Sequence, residues 1–403
     1  MIMEREYLQL ESLKTFLINK MHIAFLTPEF PNDETLPSGG IGTSIKNLVC
    51  ALTKENIKVT LFVYGQKDQK IILEDGIEIH SIKNKKYKLL GWFFHRKHIQ
   101  KYCNAIIERE SIDIIEAADW TGITAFMNFK IPLIIRLHGS DAYFCHLEKR
   151  KQKRKNFLLE KWAINGADAF IAPTNFAGAI SKNLFKINGK IIQTIHNGLD
   201  LKNFENKSPE KFDKNLILYI GTLIRKKGVL ELPGIFRKVK KDFPDATMVL
   251  IGKDSYDIKT NSVSTWNLIE GLLEEDLNSV EYLGKVPYNE VQNYIKRANV
   301  CVFPTFAETL GMVTIESMAM QKSVVNSNIG WSKELIIDGE SGFLVDPRSH
   351  ELYSDRIVQL FKNDSLCLQM GKQARIRVES KFDIGKLARE NIAFYKQLIS
   401  QKI

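Results

Sequence analysis

The stretch FPTFAETLGMVTIESMAM, residues 303–320, decides the fold of the chain around it. The apolar segment VCVFP at 300–304 leads into it and predicts a buried strand. Met312, Ile315 and Ala319 then recur at spacings of three and four residues, which predicts a helix with one buried face. A helix that begins just beyond the carboxyl end of a parallel strand lies where open α/β sheets bind their ligands.

The polar groups of this stretch predict a ligand that combines phosphate with sugar hydroxyls. The free amides from Leu310 to Val313, those of Gly311 and Met312 among them, would form an anion site that the helix dipole reinforces. Glu308 and Glu316 flank this site, and a carboxylate repels phosphate. A carboxylate accepts paired hydrogen bonds from a vicinal diol, each contributing about 1.5–3 kcal/mol. A phosphate flanked by two polyols, as in a nucleotide sugar, suits this pattern.

The succession of strand, Pro304, Glu308, Gly311 and Glu316 carries a family resemblance. Seven residues separate the two glutamates, and the stretch resembles the paired-glutamate motif of the retaining glycosyltransferases of family 4, which have the GT-B fold. The resemblance implies that Glu308 holds hydroxyls of the donor sugar at the catalytic centre and that Glu316 holds the ribose diol. The alternative is a loop acid followed by a solvated helix acid.

The size and composition of the chain predict an ordinary globular protein. Its 403 residues, 44% hydrophobic and 26% charged, are enough for two or three domains. No run of 18 apolar residues is present, so we expect no membrane span. Five scattered cysteines argue against a disulfide framework or a zinc site and favour a reducing cytoplasm. Residues 1–20 are either a short amphipathic helix or an extension upstream of a true start at Met21.

The net charge of +10 is concentrated in two segments. No acid occurs from 79 to 107, and KRKQKRK fills 149–155; aromatic and apolar residues accompany both segments. The cations of the first segment are Lys83, Lys85, Lys86, Lys88, Arg96, Lys97 and Lys101. Such a surface suits an anionic membrane, at about 1 kcal/mol per cation near the headgroups. The alternatives are a solvated basic face or a nucleic-acid patch, but no nucleic-acid module is recognisable. We therefore expect a cytoplasmic protein, peripheral on the inner face of the cell membrane.

The first half of the chain begins with a strand, a glycine loop, a helix and a second strand. The strands are predicted at 21–27 and 57–64, and the loop SGGIGTSI lies at 38–45. Its glycine spacing is not G-x-G-x-x-G and no acid ends the second strand, so ordinary NAD binding is disfavoured. The loop resembles the glycine loop of family 4 enzymes, which implies that Gly40 and Gly42 face the donor phosphates and the acceptor. A tight turn that needs small residues is the alternative.

A histidine follows the strand PLIIRL. His138 and Gly139 come at the carboxyl end of this strand, within the segment 132–141. The pair matches the His-Gly signature of the family, which implies that His138 is a catalytic residue that contacts the donor sugar near the reacting carbon. The alternative is a structural histidine. Asp141 is explained by a role as a helix N-cap.

A second Rossmann-like unit opens with a loop that bears three cations. Family members usually have Gly-Arg here, followed by Lys-Gly, with the two cations clamping the pyrophosphate. Lys227 with Gly228 matches this pattern, but Thr222 stands at the arginine position. Arg225 or Lys226 could reach the same phosphates, and we favour Arg225. Solvated loop cations are the alternative.

The elements predict an α/β protein with the GT-B architecture, in which two Rossmann-like domains with parallel sheets face each other across a cleft. An N-terminal extension at 1–20 precedes an acceptor domain at 21–199. A linker at 200–215 leads to a nucleotide-sugar domain at 216–382. The final helix, 383–403, is expected to cross back to the first domain.

The resemblance implies a retaining glycosyltransferase. It would move a sugar from a nucleoside diphosphate sugar to a glycan or lipid-linked glycan, in bacterial envelope polysaccharide biosynthesis. The donor is a substrate, so no cofactor is expected. No Asp-x-Asp occurs in the chain, which favours metal-independent transfer without a metal site. The alternatives are a sugar-nucleotide epimerase of the same fold and a non-catalytic sugar-nucleotide-binding protein.

Overall fold

Two mainly parallel sheets organise the protein, as the sequence predicts. The computed structural model describes residues 21–32, 35 and 39–402, so the expectations for 1–20 lie outside the described residues. An eight-stranded sheet belongs to the first half of the chain and a six-stranded sheet to the second half. Strands buried on both faces, such as the one at His22–Thr27, explain why the sequence contains near-continuous apolar runs.

The strands of the first sheet stand in the order β3-β4-β2-β1-β5-β6-β7-β8. They are β1 (His22–Thr27), β2 (Lys58–Gln66), β3 (Lys70–Glu74), β4 (Ile77–Lys83), β5 (Ile114–Ala118), β6 (Leu133–Arg136), β7 (Ala169–Ala172) and β8 (Ile192–Thr194). The helices around them are α1 (Gly40–Lys54), α2 (Gly91–Glu110), α3 (Asp141–Leu147), α4 (Arg154–Gly166) and α5 (Asn175–Phe185). Among these strands only the edge strand β3 pairs antiparallel, with β4, and this strand was not predicted from the sequence.

The second sheet has the order β11-β10-β9-β12-β13-β14, and all its pairs are parallel. Its strands are β9 (Leu216–Ile220), β10 (Thr247–Ile251), β11 (Val280–Tyr282), β12 (Val300–Phe303), β13 (Ser323–Ser327) and β14 (Phe343–Val345). The helices are α6 (Leu232–Asp242), α7 (Thr265–Leu273), α8 (Tyr288–Arg297), α9 (Met312–Ala319), α10 (Ser332–Leu335), α11 (His350–Lys362), α12 (Asp364–Lys381) and α13 (Ile384–Lys402). β12 lies centrally, between β9 and β13.

The last helix, α13, returns to the first domain and completes its core. Leu387, Ala388 and Tyr395 are buried there beside residues of α1 and β1. Beneath the helix, the buried Arg136 side chain pairs with Glu116 at 2.6 Å and donates to Asn391. The predicted crossing back of the C-terminal helix is confirmed, and polar bonds as well as apolar contacts hold it.

Aromatic rings join the two basic segments on the surface of the first domain. Phe126 contacts Trp92 of the first segment, at 5.5 Å between ring centroids, and Trp162 of α4, at 4.6 Å. Lys155 lies over the Trp92 ring. The prediction that Arg96 belongs to the basic surface was wrong: its side chain is buried and donates to three backbone carbonyls.

Candidate active site

The loop after β12 places both glutamates beside the first turn of α9. Gly311 caps this helix with φ 96°, a left-handed conformation that favours glycine. The amides of the first turn of a helix have no partner within the helix, so those of Met312 and Val313 are available to a ligand. The sequence-predicted strand, loop and helix therefore occur as expected, with Glu308 in the loop and Glu316 on the helix.

Glu308 forms an ion pair with Lys227, and the two residues come from different loops of the second sheet. Their side chains are 18% and 22% exposed. The amide of Thr309 also donates to the Glu308 carboxylate at 2.9 Å. Burial raises the pKa of Glu308, but the charge and hydrogen bond of Lys227 outweigh it, so the pKa is lowered and the side chain is ionised. The structure thus brings together the two predicted donor-binding residues.

The lysine loop is built against the glutamate loop, and this contact explains the Lys-Gly dipeptide. Residues Arg225–Lys227 form a 3₁₀ turn, and Gly228 follows with φ 70°. A Cβ atom on Gly228 would lie 1.7 Å from the carbonyl oxygen of Pro304. The amides of Phe306 and Ala307 donate to the carbonyl of Lys226. Only glycine at 228 permits this approach.

The two other loop cations have different surroundings. Arg225 makes two bonds of 2.8 Å to the carboxylate of Asp257, so its guanidinium is held by a protein partner. The Nζ atom of Lys226 lies over the ring of Phe144, a residue of the first domain, at 3.5 Å from the ring centroid. Burial lowers the pKa of Lys226, and the nearby Glu308 carboxylate opposes that shift. Lys226, rather than Arg225, therefore contacts the opposite wall of the cleft.

Glu316 accepts a hydrogen bond of 2.7 Å from the hydroxyl of Tyr288, the first residue of α8. Its side chain is 4% exposed. Burial raises the pKa of Glu316 to about 7, and the Tyr288 bond works against the rise. Tyr288 could not be predicted from the sequence, because nothing in its position 28 residues before Glu316 links the two side chains.

His138 lies just beyond β6, as predicted, and its imidazole is buried. Burial, followed by the charge of Arg136, lowers the pKa of His138 to about 3, so the ring is neutral at physiological pH. The Nε2 atom has no partner among the described residues. Gly139 has φ 106°, and a Cβ there would lie 2.6 Å from the ring of Phe144. Position 139 therefore requires glycine.

Asp119 is a buried acid at the same sheet edge as His138, and no role for it is predicted from the sequence. Its Oδ2 atom accepts a hydrogen bond of 3.1 Å from the amide of Gly139. Burial, then the charge of Glu160, raises the pKa of Asp119 to about 8. Asp119 lies in the segment EAADWTG, residues 116–122, between the end of β5 and the short turn that follows it. Asp119 fixes the backbone that carries His138.

The glycine loop opens α1 as predicted, but a protein carboxylate accepts one of the amides in the first turn of this helix. Glu29 accepts from the amide of Gly42 at 2.9 Å. No side chain caps this helix at Gly39. Gly40, the first helical residue, has open space where a Cβ would stand. Gly42 is buried within the first turn of α1.

Direct contacts join the two domains around the glutamate loop. The hydroxyl of Tyr143 donates to the Glu308 carbonyl and that of Thr174 to the Thr309 carbonyl, both at 2.8 Å. Thr309 also approaches the carbonyl of His138, at 3.5 Å. The predicted sites His138, Glu308 and Lys227 therefore converge on one place between the domains.

A cavity of about 1110 Å³ lies between α1 and the loop that precedes α8. Its lining includes Gly39, Lys46, Lys285 and Tyr288. Within the described residues there is no group of three or more His, Cys, Asp or Glu side chains that could hold a metal ion. In the same part of the chain no helix is long and apolar enough to cross a membrane.

Two facing α/β domains with parallel sheets, joined by a helix that returns to the first, define the GT-B class of glycosyltransferases. Residues 200–377 match the family of glycosyl transferases group 1, and residues 38–203 match glycosyltransferase family 4. The two matches together span residues 38–377, so the chain belongs to the group 1 and family 4 glycosyltransferases, as its motifs predict.

Curated relatives agree with this assignment. An uncharacterized glycosyltransferase of Methanocaldococcus jannaschii, MJ1178, is 26% identical over 344 residues, covering 84% of this chain and 89% of that one. The capsular polysaccharide biosynthesis glycosyltransferase CapM of Staphylococcus aureus is 27% identical over 261 residues, covering 61% and 66%. Relatives of the chain therefore include an enzyme of polysaccharide biosynthesis.

Solved structures share the fold. Sucrose-phosphate synthase from Thermosynechococcus elongatus superimposes with a TM-score of 0.76 at 20% identity, over 94% of this chain and all of that one. HepE of Anabaena, solved in complex with UDP-glucose, gives a TM-score of 0.69 at 18% identity over 94% and 100%. At these identities the likeness establishes the fold alone.

Proposed function

We propose that this glycosyltransferase moves a sugar with retention of anomeric configuration from a nucleoside diphosphate sugar to a glycan or lipid-linked glycan acceptor. The convergence of Glu308, Lys227 and the buried His138 at one point between the domains carries the proposal. The UDP-glucose complex of the structural neighbour HepE supports a nucleotide-sugar donor. The relative CapM supports a place in bacterial envelope polysaccharide biosynthesis.

The proposed catalysis is electrostatic. The leaving diphosphate gains negative charge as its bond to the sugar breaks, and the amides of Met312 and Val313 with the ammonium of Lys227 stabilise that charge. Lys227 is already paired with Glu308, so a sugar that hydrogen-bonds to Glu308 is held beside the cation. The departing phosphate accepts the acceptor's proton on the same face of the sugar, which gives retention without a protein nucleophile.

His138 has a proposed role as a neutral hydrogen-bonding group. Its lowered pKa excludes a resident imidazolium above pH 5, so it brings no positive charge to the sugar. The unpartnered Nε2 atom is free for a donor hydroxyl near the reacting carbon. Gly40 and Gly42 would lie on the acceptor side, at the start of α1. Arg225 keeps its proposed phosphate role only if a ligand displaces Asp257 from it.

A donor screen tests this function. Release of nucleoside diphosphate from UDP-, GDP- and ADP-sugars, without acceptor, is measured for the wild type, Glu308→Ala and Glu316→Ala. The exposed Glu340→Ala supplies a matched control on the same domain. We expect slow release from one donor, lost in both site variants and kept in the control. Wild-type protein that neither binds nor hydrolyses any sugar nucleotide would refute the proposal.

The configuration of the sugar released in that screen tests retention. Proton NMR before mutarotation should give the anomer present in the donor, and the opposite anomer would exclude a retaining route. Conversion of the sugar nucleotide into an isomer, without acceptor, would instead identify an epimerase. Tight binding of a donor with no turnover on any acceptor would identify a binding protein.

We also propose that the reaction is metal-independent. Lys227 and the α9 amides supply the positive charge that a divalent cation would otherwise bring to the diphosphate. Donor turnover should therefore survive excess EDTA. Activity that EDTA abolishes and that Mg²⁺ or Mn²⁺ restores would disprove this point.

The proposed acceptor is membrane-bound, and the basic–aromatic surface, residues 83–97 with 149–162, is the proposed contact with the bilayer. Leu89 and Leu90 are 80% and 57% exposed beside the lysines. Lys85, Lys86 and Lys88 are exposed and form no ion pair with any described residue, so their charge is available to anionic headgroups. Exposed apolar side chains beside free cations suit the inner face of a cell membrane.

Vesicle flotation tests this contact. The wild type should float with vesicles of phosphatidylcholine and phosphatidylglycerol but not with phosphatidylcholine alone. Lys85→Gln/Lys86→Gln/Lys88→Gln should lose about 3 kcal/mol of attraction, and hence flotation. Lys207→Gln/Lys211→Gln/Lys333→Gln makes the same change of charge at exposed sites elsewhere. Equal flotation of both variants, or none for the wild type, would exclude this surface.

A further inference from the structure

We infer that Tyr288 is a positioning residue for the nucleotide: its hydroxyl holds one oxygen of the Glu316 carboxylate so that the other can accept from the ribose. This inference rests on the proposed function and concerns the ribose end of the donor. Tyr288 acts through Glu316 and need not touch the reacting atoms.

The hydrogen bond between the two side chains is the first support. The Tyr288 hydroxyl lies 2.7 Å from Oε1 of Glu316, and no second donor to this carboxylate occurs among the described residues. Burial of the hydroxyl, and then the charge of Glu316, raises the pKa of Tyr288, so the phenol remains protonated and donates. This single bond orients the carboxylate and leaves Oε2 without a hydrogen-bond partner among the described residues.

The placement of the ring is the second support. Tyr288 is 50% exposed although its hydroxyl reaches an almost fully buried acid. Its exposed face lines the 1110 Å³ cavity between the domains, opposite Gly39 of the glycine loop. The ring of Phe204 packs against it in an edge-type arrangement, at 6.2 Å between ring centroids. Tyr288 therefore connects the space open to a ligand with the carboxylate behind it.

The protonation state of Glu316 turns this geometry into a measurable effect. Only burial and the Tyr288 bond shift the Glu316 pKa, to about 7. Loss of the phenol hydroxyl removes the opposing contribution, so the pKa rises further. A protonated carboxyl is a weaker acceptor for a diol. In a protein without the phenol hydroxyl, the ribose should therefore contribute less to binding at neutral pH, and its contribution should return at high pH.

The experiment uses isothermal titration of the full chain with UDP, GDP and ADP, and then with the 2′,3′-dideoxy form of whichever binds. The wild type at pH 7.5 should prefer the ribose form at least about tenfold. In Tyr288→Phe the preference should fall to about threefold or less at pH 7.5 and recover at pH 9. Tyr294→Phe, a tyrosine on the same helix, should behave as the wild type. In a Glu316→Gln background, Tyr288→Phe should add no further pH dependence.

Each outcome has a distinct meaning. Wild-type binding together with an unchanged, pH-independent preference in Tyr288→Phe would overturn the inference and leave the proposed function standing. Tighter binding by Tyr288→Phe at every pH would also overturn it, because the hydroxyl would then compete with the ribose. Failure of all three nucleotides to bind the wild type would remove the proposed function and this inference together.

Discussion

In the proposed mechanism Lys227 links sugar binding with charge stabilisation, because the ammonium that pairs with Glu308 would also stabilise the leaving diphosphate. Lys227→Met should lower kcat by about 10²–10³, the usual cost of losing one preorganised charge donor. It also leaves Glu308 largely buried without its cation, at a cost of about 1–3 kcal/mol in the free energy of unfolding. Lys253→Met, on the exposed loop after β10, is the matched control. Loss of activity in both variants, or in neither, would contradict the assignment.

His138 should make the protein less stable in acid without titrating in the native state. Its folded pKa, about 3, lies below the ordinary 6.5, so below pH 6.5 the unfolded chain binds a proton that the native state does not. Its contribution to the free energy of unfolding is complete above pH 6.5 and falls by about 1.4 kcal/mol per pH unit below it.

Denaturant unfolding at pH 7.5 and pH 5.5 tests this expectation. His138→Gln lacks this titration. Between pH 7.5 and pH 5.5, the free energy of unfolding should therefore fall by about 1.4 kcal/mol less in the variant than in the wild type. The comparison is between slopes, so a uniform destabilisation of the variant does not affect it. Equal slopes for both proteins would mean that His138 protonates freely in the folded state.

Among the elements, the 3₁₀ turn Arg225–Lys227 depends on the glycine that ends it. In Gly228→Ala the new Cβ would meet the Pro304 carbonyl, and the backbone already lies in the left-handed region. The loop must move, which should cost at least about 2 kcal/mol of stability and separate Lys227 from Glu308. Gly271→Ala, within α7 and with open space around it, should instead stabilise by about 0.5–1 kcal/mol. Thermal unfolding and donor hydrolysis measure both effects, and equal outcomes would contradict this view of the loop.

Local elements could be predicted from the sequence, whereas side-chain pairs between distant loops could not. The strand, loop and helix around Glu308 and Glu316 were predictable because apolar periodicity and a capping glycine act within a few residues. The pairing of Arg225 with Asp257 was not, because it joins residues 32 apart across two loops. The bond from Tyr288 to Glu316 has the same character. Side-chain partners at such separations depend on how the strands line up, which local patterns do not encode.

Two further differences have physical reasons. Arg96 lies in a basic run, but its guanidinium donates to the backbone carbonyls of Thr121 and Gly122, so it is buried rather than exposed. Glu29 lies on the loop after β1 and reaches the amide of Gly42, a contact that glycine spacing cannot indicate. The predicted boundaries of domains and linker, and the roles of the individual site residues, stay predictions.

At the scale of the whole molecule, the first domain is completed by the last helix of the chain. The side chains of the Arg136–Glu116 ion pair are each 3% exposed. Two residues of α13 bind this pair: Asn391 accepts a hydrogen bond from Arg136, and the hydroxyl of Tyr395 donates to Glu116. Apolar residues of the same helix fill the core beside β1. Folding of the first domain should therefore require the C-terminus, although a whole second domain lies between them in the sequence.

Arg136→Met tests this dependence, because it leaves Glu116 buried without a cation and should cost about 3–5 kcal/mol. Arg389→Met breaks another ion pair between α13 and the first domain, with Glu55, but there the side chains are 60% and 35% exposed. That control should cost less than about 1 kcal/mol. Hydrogen exchange can then locate the damage: in Arg136→Met protection should fall in β1, β5 and α13 and persist in the second sheet. Equal losses in both sheets would mean that the domains unfold as one unit, whereas unchanged protection of α13 would mean that apolar packing alone holds the returning helix.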